Sequence, residues 1–259
     1  MIAMLVPRLR AAAFAVWRRN GLVWRKLAAP SILINFGEPF LYLLGLGYGL
    51  GLYIGEMMNM PYLTFLASGI LASSAMNTAS FESMYSVYTR MVPQQTYEAI
   101  LATPLEVQDI LAGELFWSAT KALISGIGIL AVAAALGAVH DWNALWVLPV
   151  LFLVGLCFGG LGMIMSALAR GYDFFNYYVT LVLTPMFILS GVFYPVTSLP
   201  VALQGVVQAL PLTHAVELVR PLVAGLPLTD VPIHVAVLIA YGAVGYLVSV
   251  VLTRRRLLV

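Results

Sequence analysis

The sequence predicts an all-α, polytopic membrane protein with six transmembrane helices, and composition is the first reason. Hydrophobic residues occupy 62% of the 259 positions and charged residues only 9%, whereas a soluble domain carries about 25% charged residues. A water-soluble fold of this length could not bury so much apolar surface. We therefore expect the lipid bilayer to cover most of it.

Six segments are long and apolar enough to cross the bilayer core, which takes about 20 residues of helix. They cover residues 32–54, 62–85, 110–137, 144–168, 174–195 and 232–253. The chain shows no internal repeat and no low-complexity linker, so residues 1–259 are expected to form one transmembrane domain.

The lysine and arginine residues predict the orientation of these helices. Six basic residues lie between positions 8 and 26, Arg90 and Arg170 follow the second and fourth spans, and three arginines occupy 254–256. With six spans all of these fall on one side, which the positive-inside rule makes cytoplasmic. Only Arg220 lies in an opposite loop, so both termini are expected in the cytoplasm.

Residues 8–27 are too polar to cross the membrane, but they form an amphipathic pattern. Trp17 and Trp24 share the apolar face of the predicted helix, and Arg18 and Arg19 lie on the other face. This pattern is typical of a helix in the membrane interface, with cations toward anionic lipid. A plain topology anchor is the alternative. No compact apolar core precedes residue 27, so no cleavable signal peptide is expected.

The sequence offers no site for ATP hydrolysis, other catalysis or a metal. A phosphate-binding loop needs Gly-Lys-Ser/Thr, and neither Lys26 nor Lys121 follows a glycine. His140, His214 and His234 are scattered without metal-ligand spacing. An intramembrane transferase would need a clustered acid/base or metal site, and none is predicted.

Ionisable residues in or near the spans are costly and point to function by default. Glu38 is expected to form a cap or a salt bridge, with Arg90 as the candidate partner. Glu114 and Lys121 are seven residues apart, too far for a direct bond, so each should face protein or water. Only Glu82 and Glu114 could carry a proton relay, and an ion-coupled transporter would also need inverted repeats. That alternative therefore has little support.

A short amphipathic helix is predicted at residues 94–105, between the second and third spans. Thr96 is placed to cap it and Pro104 to end it. An exposed apolar face in this position needs a partner to cover it, although an ordinary connector is the alternative. The residues of this predicted contact are Tyr97, Glu98, Ile100, Leu101, Thr103 and Pro104.

Residues 197–225 are too long for a simple turn and too apolar for a water-exposed loop. Pro200, Pro211 and Pro221 divide them, which predicts short helices rather than one span. A loop lying flat on the lipid surface and a re-entrant helical pair are both open readings of this pattern.

These segments resemble ABC-2 type transporter permeases, the membrane halves of ABC exporters, and the resemblance covers essentially the whole chain. The most specific motifs are SGVFYP at 190–195, PLTH at 211–214, VRPL at 219–222 and EAILATPL at 98–105. The chain is most similar to the branch that includes nodulation lipo-oligosaccharide exporters and antibiotic-efflux permeases.

The resemblance implies a homodimer with two copies of a separate ABC ATPase, which would hold ATP and magnesium. It implies export across a bacterial inner membrane, without nucleic acid as a partner. Residues 94–105 would be the coupling helix that contacts the ATPase, and the helix at 8–27 would contribute to that contact. Residues 197–225 would re-enter the outer leaflet beside the exit, at Pro211, His214, Glu217 and Arg220.

The resemblance also implies that the first, second and fifth spans line the transport pathway of the dimer. Aromatic faces suit sugar rings and amphiphiles, so a lipo-oligosaccharide or lipid-linked glycan is the expected cargo, and a hydrophobic drug is the alternative. Membrane lipid is a further expected partner. The expected lining residues are Tyr42, Tyr48, Ser74, Asn77, Phe81, Tyr177, Tyr178 and Phe187.

Overall fold

The computed structural model describes residues 11–26, 28, 30, 37 and 39–258, and these are helical apart from turns and one small hairpin. The hairpin pairs Glu56–Met57 with Met60–Pro61 in antiparallel register. The helices are α1 (Ala12–Arg25), α2 (Pro39–Ile54), α3 (62–91), α4 (Thr96–Leu101), α5 (Val107–Ala135), α6 (Trp142–Leu168), α7 (Phe174–Leu189), α8 (Val201–Val207), α9 (Pro211–Ala224) and α10 (Val231–Leu257).

Three helices in the described part of the chain are long and apolar enough to cross a bilayer, namely α5, α6 and α10. The apolar helices α2 and α7 are shorter. Helix α3 runs through the interior of the bundle, because almost every side chain from residue 62 to residue 80 is buried. The all-α membrane architecture is therefore confirmed, and the count of six spans stays a prediction.

The helix ends differ from the predicted bounds for local reasons. Helix α5 begins three residues early because Glu106 and Asp109 form a reciprocal capping box. Helix α7 ends at Leu189, not at 195, because the chain turns at Gly191 with a φ of 82°. Helix α10 continues to Leu257, where Arg256 donates to carbonyls at the end of α6.

The long helices pack closely because glycines lie at their crossings. A Cβ atom on Gly245 of α10 would stand 2.6 Å from the carbonyl carbon of Gly160 on α6. A Cβ atom on Gly155 would stand 2.6 Å from the Cα atom of Ala119 on α5. Small residues at such crossings let helix backbones approach within a membrane, where van der Waals packing holds the bundle together.

Two ends of the bundle can be distinguished by their contacts. At the first, which we call the basic end, α1 packs on the beginning of α5, and Arg254 near the end of α10 donates to the Gln108 side chain (3.1 Å). At the opposite end, α9 packs against the beginning of α3 and of α10. Both described termini therefore lie at the basic end.

The amphipathic helix is shorter than the predicted 8–27 where the structure describes it, and it ends at Arg25. Residues 8–10 and 27 lie outside the described residues. So do residues 32–36 of the first predicted span and Glu38, whose predicted cap or salt bridge is therefore untested.

Candidate functional site

Four charged side chains meet inside the basic end, and we call them the charge cluster: Glu82 and Arg90 of α3, and Glu114 and Lys121 of α5. Arg90 lies between the two acids, with Nη2 3.1 Å from Glu82 Oε1 and Nε 2.9 Å from Glu114 Oε1. Lys121 Nζ lies 2.9 Å from Glu82 Oε2. All four side chains are at most 15% exposed, so water screens these pairs little.

Neutral donors complete the shell around both carboxylates. Asn20 Nδ2 of α1 donates to Glu114 (2.8 Å), and Trp117 Nε1 donates to Glu82 (3.1 Å). Ser86 Oγ also donates to Glu82 (3.0 Å). A buried ion pair is tolerated only when further hydrogen bonds satisfy its remaining lone pairs. The cluster therefore joins three helices, α1, α3 and α5, through well-satisfied groups.

A π-helical turn at Glu82–Ser86 explains how one helix brings Glu82 and Arg90 together. In a regular α-helix, residues eight apart would point about 80° away from each other. The π-turn holds an extra residue, which rotates Arg90 back onto the face of Glu82. Sequence reasoning assigned Glu82 and Glu114 to the ends of spans but missed their shared partner. The signal available in the sequence was a single arginine, Arg90, shortly after a predicted span that contains a glutamate, Glu82.

The cluster also bears on two expectations about ionisable residues. Glu114 and Lys121 make no direct bond, as predicted, and each pairs with a residue of α3. Both acids that could have carried a proton relay are engaged by cations. This arrangement lends no support to ion-coupled transport.

Helix α1 packs along α5 rather than exposing its whole apolar face to lipid. Trp17 Nε1 donates to Thr120 Oγ1 (2.9 Å), and the ring of Trp24 stands edge-on to Trp117, 5.9 Å away. A Cβ atom on Gly113 would meet the Ala13 carbonyl at 2.6 Å, so glycine is required at this crossing. Trp17 and Trp24, which form part of the predicted apolar face, therefore dock α1 on the bundle.

The cations of α1 behave differently from one another. Arg18 is exposed, as predicted, whereas Arg19 is half-buried and donates to Asn20 (3.1 Å). Because Asn20 also donates to Glu114, Arg19 extends the polar network from the surface of α1 to the charge cluster.

Helix α4 lies beside the cluster, and its orientation corrects one prediction. Tyr97 is fully buried within the chain instead of contributing to an exposed apolar face. Burial, together with the nearby negative charge of Glu114, raises the pKa of the Tyr97 phenol well above its usual value. Tyr97 is therefore an anchor that keeps α4 seated on the bundle as a neutral group.

The other predicted residues of this contact remain accessible. Glu98, Thr103 and Pro104 are exposed, and Ile100 and Leu101 are half-buried. The predicted cap is wrong, because Thr96 is the first helical residue and Gln95 precedes it with a φ of 50°. The helix ends at Leu101, before Pro104, where Thr103 Oγ1 donates to the last turn. A short, exposed helical surface thus projects from the basic end.

The predicted pathway residues divide into two groups. Tyr48, Phe81 and Tyr177 are exposed, and Tyr42, Asn77 and Phe187 are half-buried. In contrast, Ser74 and Tyr178 are buried. Ser74 pairs with Ser125 of α5 (3.1 Å between hydroxyl oxygens), so it joins two helices of the bundle. Within one protomer these two residues face packed helices and do not line an open path.

At the opposite end, α9 begins at Pro211, as the motif predicts. His214 Nε2 donates to the Gln208 carbonyl (2.9 Å), so its Nδ1 accepts from His234 Nδ1 of α10 (2.8 Å). Two histidines that were predicted to be scattered therefore meet in space. Among the described residues, no group of three or more potential metal ligands is present.

Arg220 is buried at this end without a carboxylate in hydrogen-bond contact among the described residues. Its Nη2 donates to the Gly191 carbonyl (2.6 Å) and its Nε to Ser68 Oγ (3.2 Å). Its guanidinium carbon stands 3.7 Å above the centre of the Phe65 ring. Arg220 thereby fixes the SGVFYP turn against the beginning of α3. Glu217, in contrast, is the one exposed residue between 211 and 220.

Comparison with known proteins assigns the class. The ABC-2 type transporter family matches residues 11–224, and the chain belongs to this family. It is a permease of the ABC-2 type and an integral membrane protein, and membership implies an ABC ATPase as its partner.

The relatives narrow the assignment further. The chain is 49% identical to Nodulation protein J of Rhizobium leguminosarum bv. viciae over 244 residues, 94% of each protein. It is 47% identical to Nodulation protein J of Rhizobium meliloti, over 94% of this chain and 93% of that protein. It is 27% identical to the inner membrane transport permease YadH of Escherichia coli, over 90% of this chain and 89% of that protein.

Proposed function

We propose that this chain is the membrane subunit of an ATP-driven exporter that moves an amphiphilic lipo-oligosaccharide outward across the bacterial inner membrane. The working unit is a homodimer with two copies of a separate ATPase, which hold ATP and magnesium. Relatives named for nodulation, similar over nearly their whole length, support this cargo ahead of a hydrophobic drug. Six spans, with both termini in the cytoplasm, complete the proposed topology.

The observation that carries the proposal is the seating of α4 on the charge cluster. Glu98, Thr103 and Pro104 face outward, where a partner can contact them. Tyr97 faces inward, close enough to Glu114 and Arg90 for their charges to act on its pKa. A push on α4 would therefore displace Tyr97 against groups that bind α1, α3 and α5 together. Motion of an ATPase could reach three helices through this one contact.

The exposed aromatic residues support a pathway between two copies of the chain. Tyr48, Phe81 and Tyr177 lie on α2, α3 and α7 and point away from the protomer interior. Tyr42 and Phe187 stand edge-on to each other, 5.9 Å apart, and both rings also approach Phe193 of the SGVFYP turn. Aromatic faces of this kind suit the sugar and acyl parts of an amphiphile.

Transport by the purified complex tests the proposal. The chain is co-expressed with its ATPase, reconstituted into liposomes and supplied with a fluorescent lipo-oligosaccharide. We expect movement between leaflets that depends on ATP and stops with a non-hydrolysable analogue. A hydrophobic dye serves as the competing cargo. ATP-dependent movement of the dye alone would favour the drug-efflux alternative, and transport without the ATPase would contradict the proposal.

Cysteine labelling tests the proposed orientation. Cysteines replace Glu56 and Arg255, both exposed, in a background with Cys157 changed to alanine. A membrane-impermeant maleimide applied to intact spheroplasts should label position 56 and reach position 255 only after lysis. Labelling of position 255 from outside would exclude cytoplasmic termini.

A further inference from the structure

A groove between the end of α5 and the beginning of α6 lies at the opposite end of the bundle from the charge cluster. Its volume is about 480 Å³, within the range of small-molecule sites. Nearly all of its wall is apolar and belongs to these two helices. The wall is formed by Ile127, Leu130, Ala131, Ala134, Leu145 and Leu148.

The mouth of the groove is polar and lies where the loop that joins the two helices meets the beginning of α6. It carries His140 and Asp141, which are both exposed, and Trp142. Asp141 Oδ2 accepts from Asn143 Nδ2 (2.5 Å), which fixes the direction of the carboxylate. The mouth thus offers a negative charge beside the N–H donors of an imidazole and an indole.

Two exposed tryptophans indicate the depth of the groove in the membrane. Trp142 is 85% exposed and Trp146 is 68% exposed. Exposed tryptophans at the end of a transmembrane helix sit at the level of the lipid headgroups. Most of the apolar wall belongs to the last turns of α5. This part therefore lies below that level, where acyl chains are the surrounding solvent.

We propose that this groove is a binding site for one phospholipid with an ethanolamine headgroup, with an acyl chain in the groove and the ammonium on Asp141. The phosphate lies beside the donors of His140 and Trp142. A lipid with a glycerol headgroup carries the same phosphate but has no ammonium to neutralise the Asp141 carboxylate. Asp141 is therefore the residue that selects between headgroups.

The site adjoins the C-terminal end of α9, within residues 197–225. The Cβ atom of Asp141 stands 3.5 Å from where a Cβ atom on Gly225 would lie, and Gly225 ends α9 with a φ of 71°. A headgroup bound at Asp141 would therefore contact the junction between α9 and α10 as well as the α5–α6 loop.

Native mass spectrometry tests this site. The full-length protein is placed in nanodiscs that contain equal amounts of phosphatidylethanolamine and phosphatidylglycerol, and the lipids retained after release are weighed. We expect one phosphatidylethanolamine per protomer. Asp141→Asn should lower the ratio of retained phosphatidylethanolamine to phosphatidylglycerol by about tenfold, as expected for the loss of one charge-assisted hydrogen bond. Glu56→Gln, which changes an exposed acid at the same end of the bundle but outside the groove, is the matched control.

A second variant tests the apolar wall independently of the headgroup. Ala131→Trp places a large side chain at an exposed position in the groove and should remove retention of either lipid. Equal retention of both lipids by the unchanged protein would overturn the proposal. So would the same retention of phosphatidylethanolamine in Asp141→Asn and Ala131→Trp as in the unchanged protein.

Discussion

Arg90 and Arg220 are both buried, but their surroundings differ in kind. Arg90 lies between two carboxylates that also accept from a lysine, an asparagine and a tryptophan. Arg220 is held by a backbone carbonyl, a serine hydroxyl and the face of a phenylalanine ring. The basic end therefore places its charge in a balanced network across three helices, and the opposite end holds a single cation with neutral partners.

This difference suggests different tasks for the two ends. Removal of one ion from a balanced buried network leaves the opposite charge without compensation, which is strongly destabilising. Neutral partners lose only ordinary hydrogen bonds when the cation leaves. The basic end is thus suited to transmit movement as a unit, and the opposite end can change conformation at lower cost.

The largest expected effect comes from replacing each arginine with methionine, which keeps much of the side-chain volume. Arg90→Met leaves the buried Glu114 without its cation, although the amide of Asn20 still donates to it, and should lower the free energy of unfolding by about 3–5 kcal/mol. Arg220→Met should cost about 1–2 kcal/mol, because only neutral partners are released. Unfolding in mixed detergent micelles measures both.

Arg255→Met is the control for this comparison, because Arg255 is exposed near the end of α10. Its free energy of unfolding should stay close to that of the unchanged protein. If Arg220→Met destabilises the protein as much as Arg90→Met, the proposed difference between the two ends is wrong.

A smaller effect is expected from Glu217, the exposed acid of α9. Because it projects from a helix whose other side chains are mostly buried, it is accessible to cargo near the predicted exit. Glu217→Ala should slow export several-fold and leave the amount of co-purified ATPase unchanged, since the residue lies at the end away from α4. Glu98→Ala provides a contrasting variant at that other end. An unaltered export rate with normal expression of Glu217→Ala would remove Glu217 from the exit.

The sequence predicted the helical membrane architecture well because hydropathy and proline positions act locally. Apolar segments locate α5, α6 and α10, and Pro211 marks the beginning of α9. The partner of Arg90 could not be predicted in this way. It depends on the π-turn at Glu82–Ser86 and on the pairing of α3 with α5, which are properties of the folded chain.

The same limit explains the errors about side-chain direction. A helical wheel for residues 94–105 places Tyr97 on an apolar face, but it cannot show whether that face meets a partner or the chain itself. Tyr97 is buried in its own chain. Likewise His214 and His234 are twenty residues apart in sequence and become neighbours only when α9 packs on α10.

The central claim is that α4 joins this permease to its ATPase, and the double variant Glu98→Arg with Leu101→Asp tests it most directly. Glu98 is exposed and Leu101 is half-buried on the same short helix, and a charge buried without a partner at a packed contact costs several kcal/mol. The measurement is the amount of ATPase that co-purifies with the tagged permease. Val201→Asp, an exposed apolar position on α8 at the opposite end, is the matched control. We expect the double variant to lose the ATPase and the control to retain it. Normal co-purification of the double variant would contradict the assignment of α4 as the coupling helix.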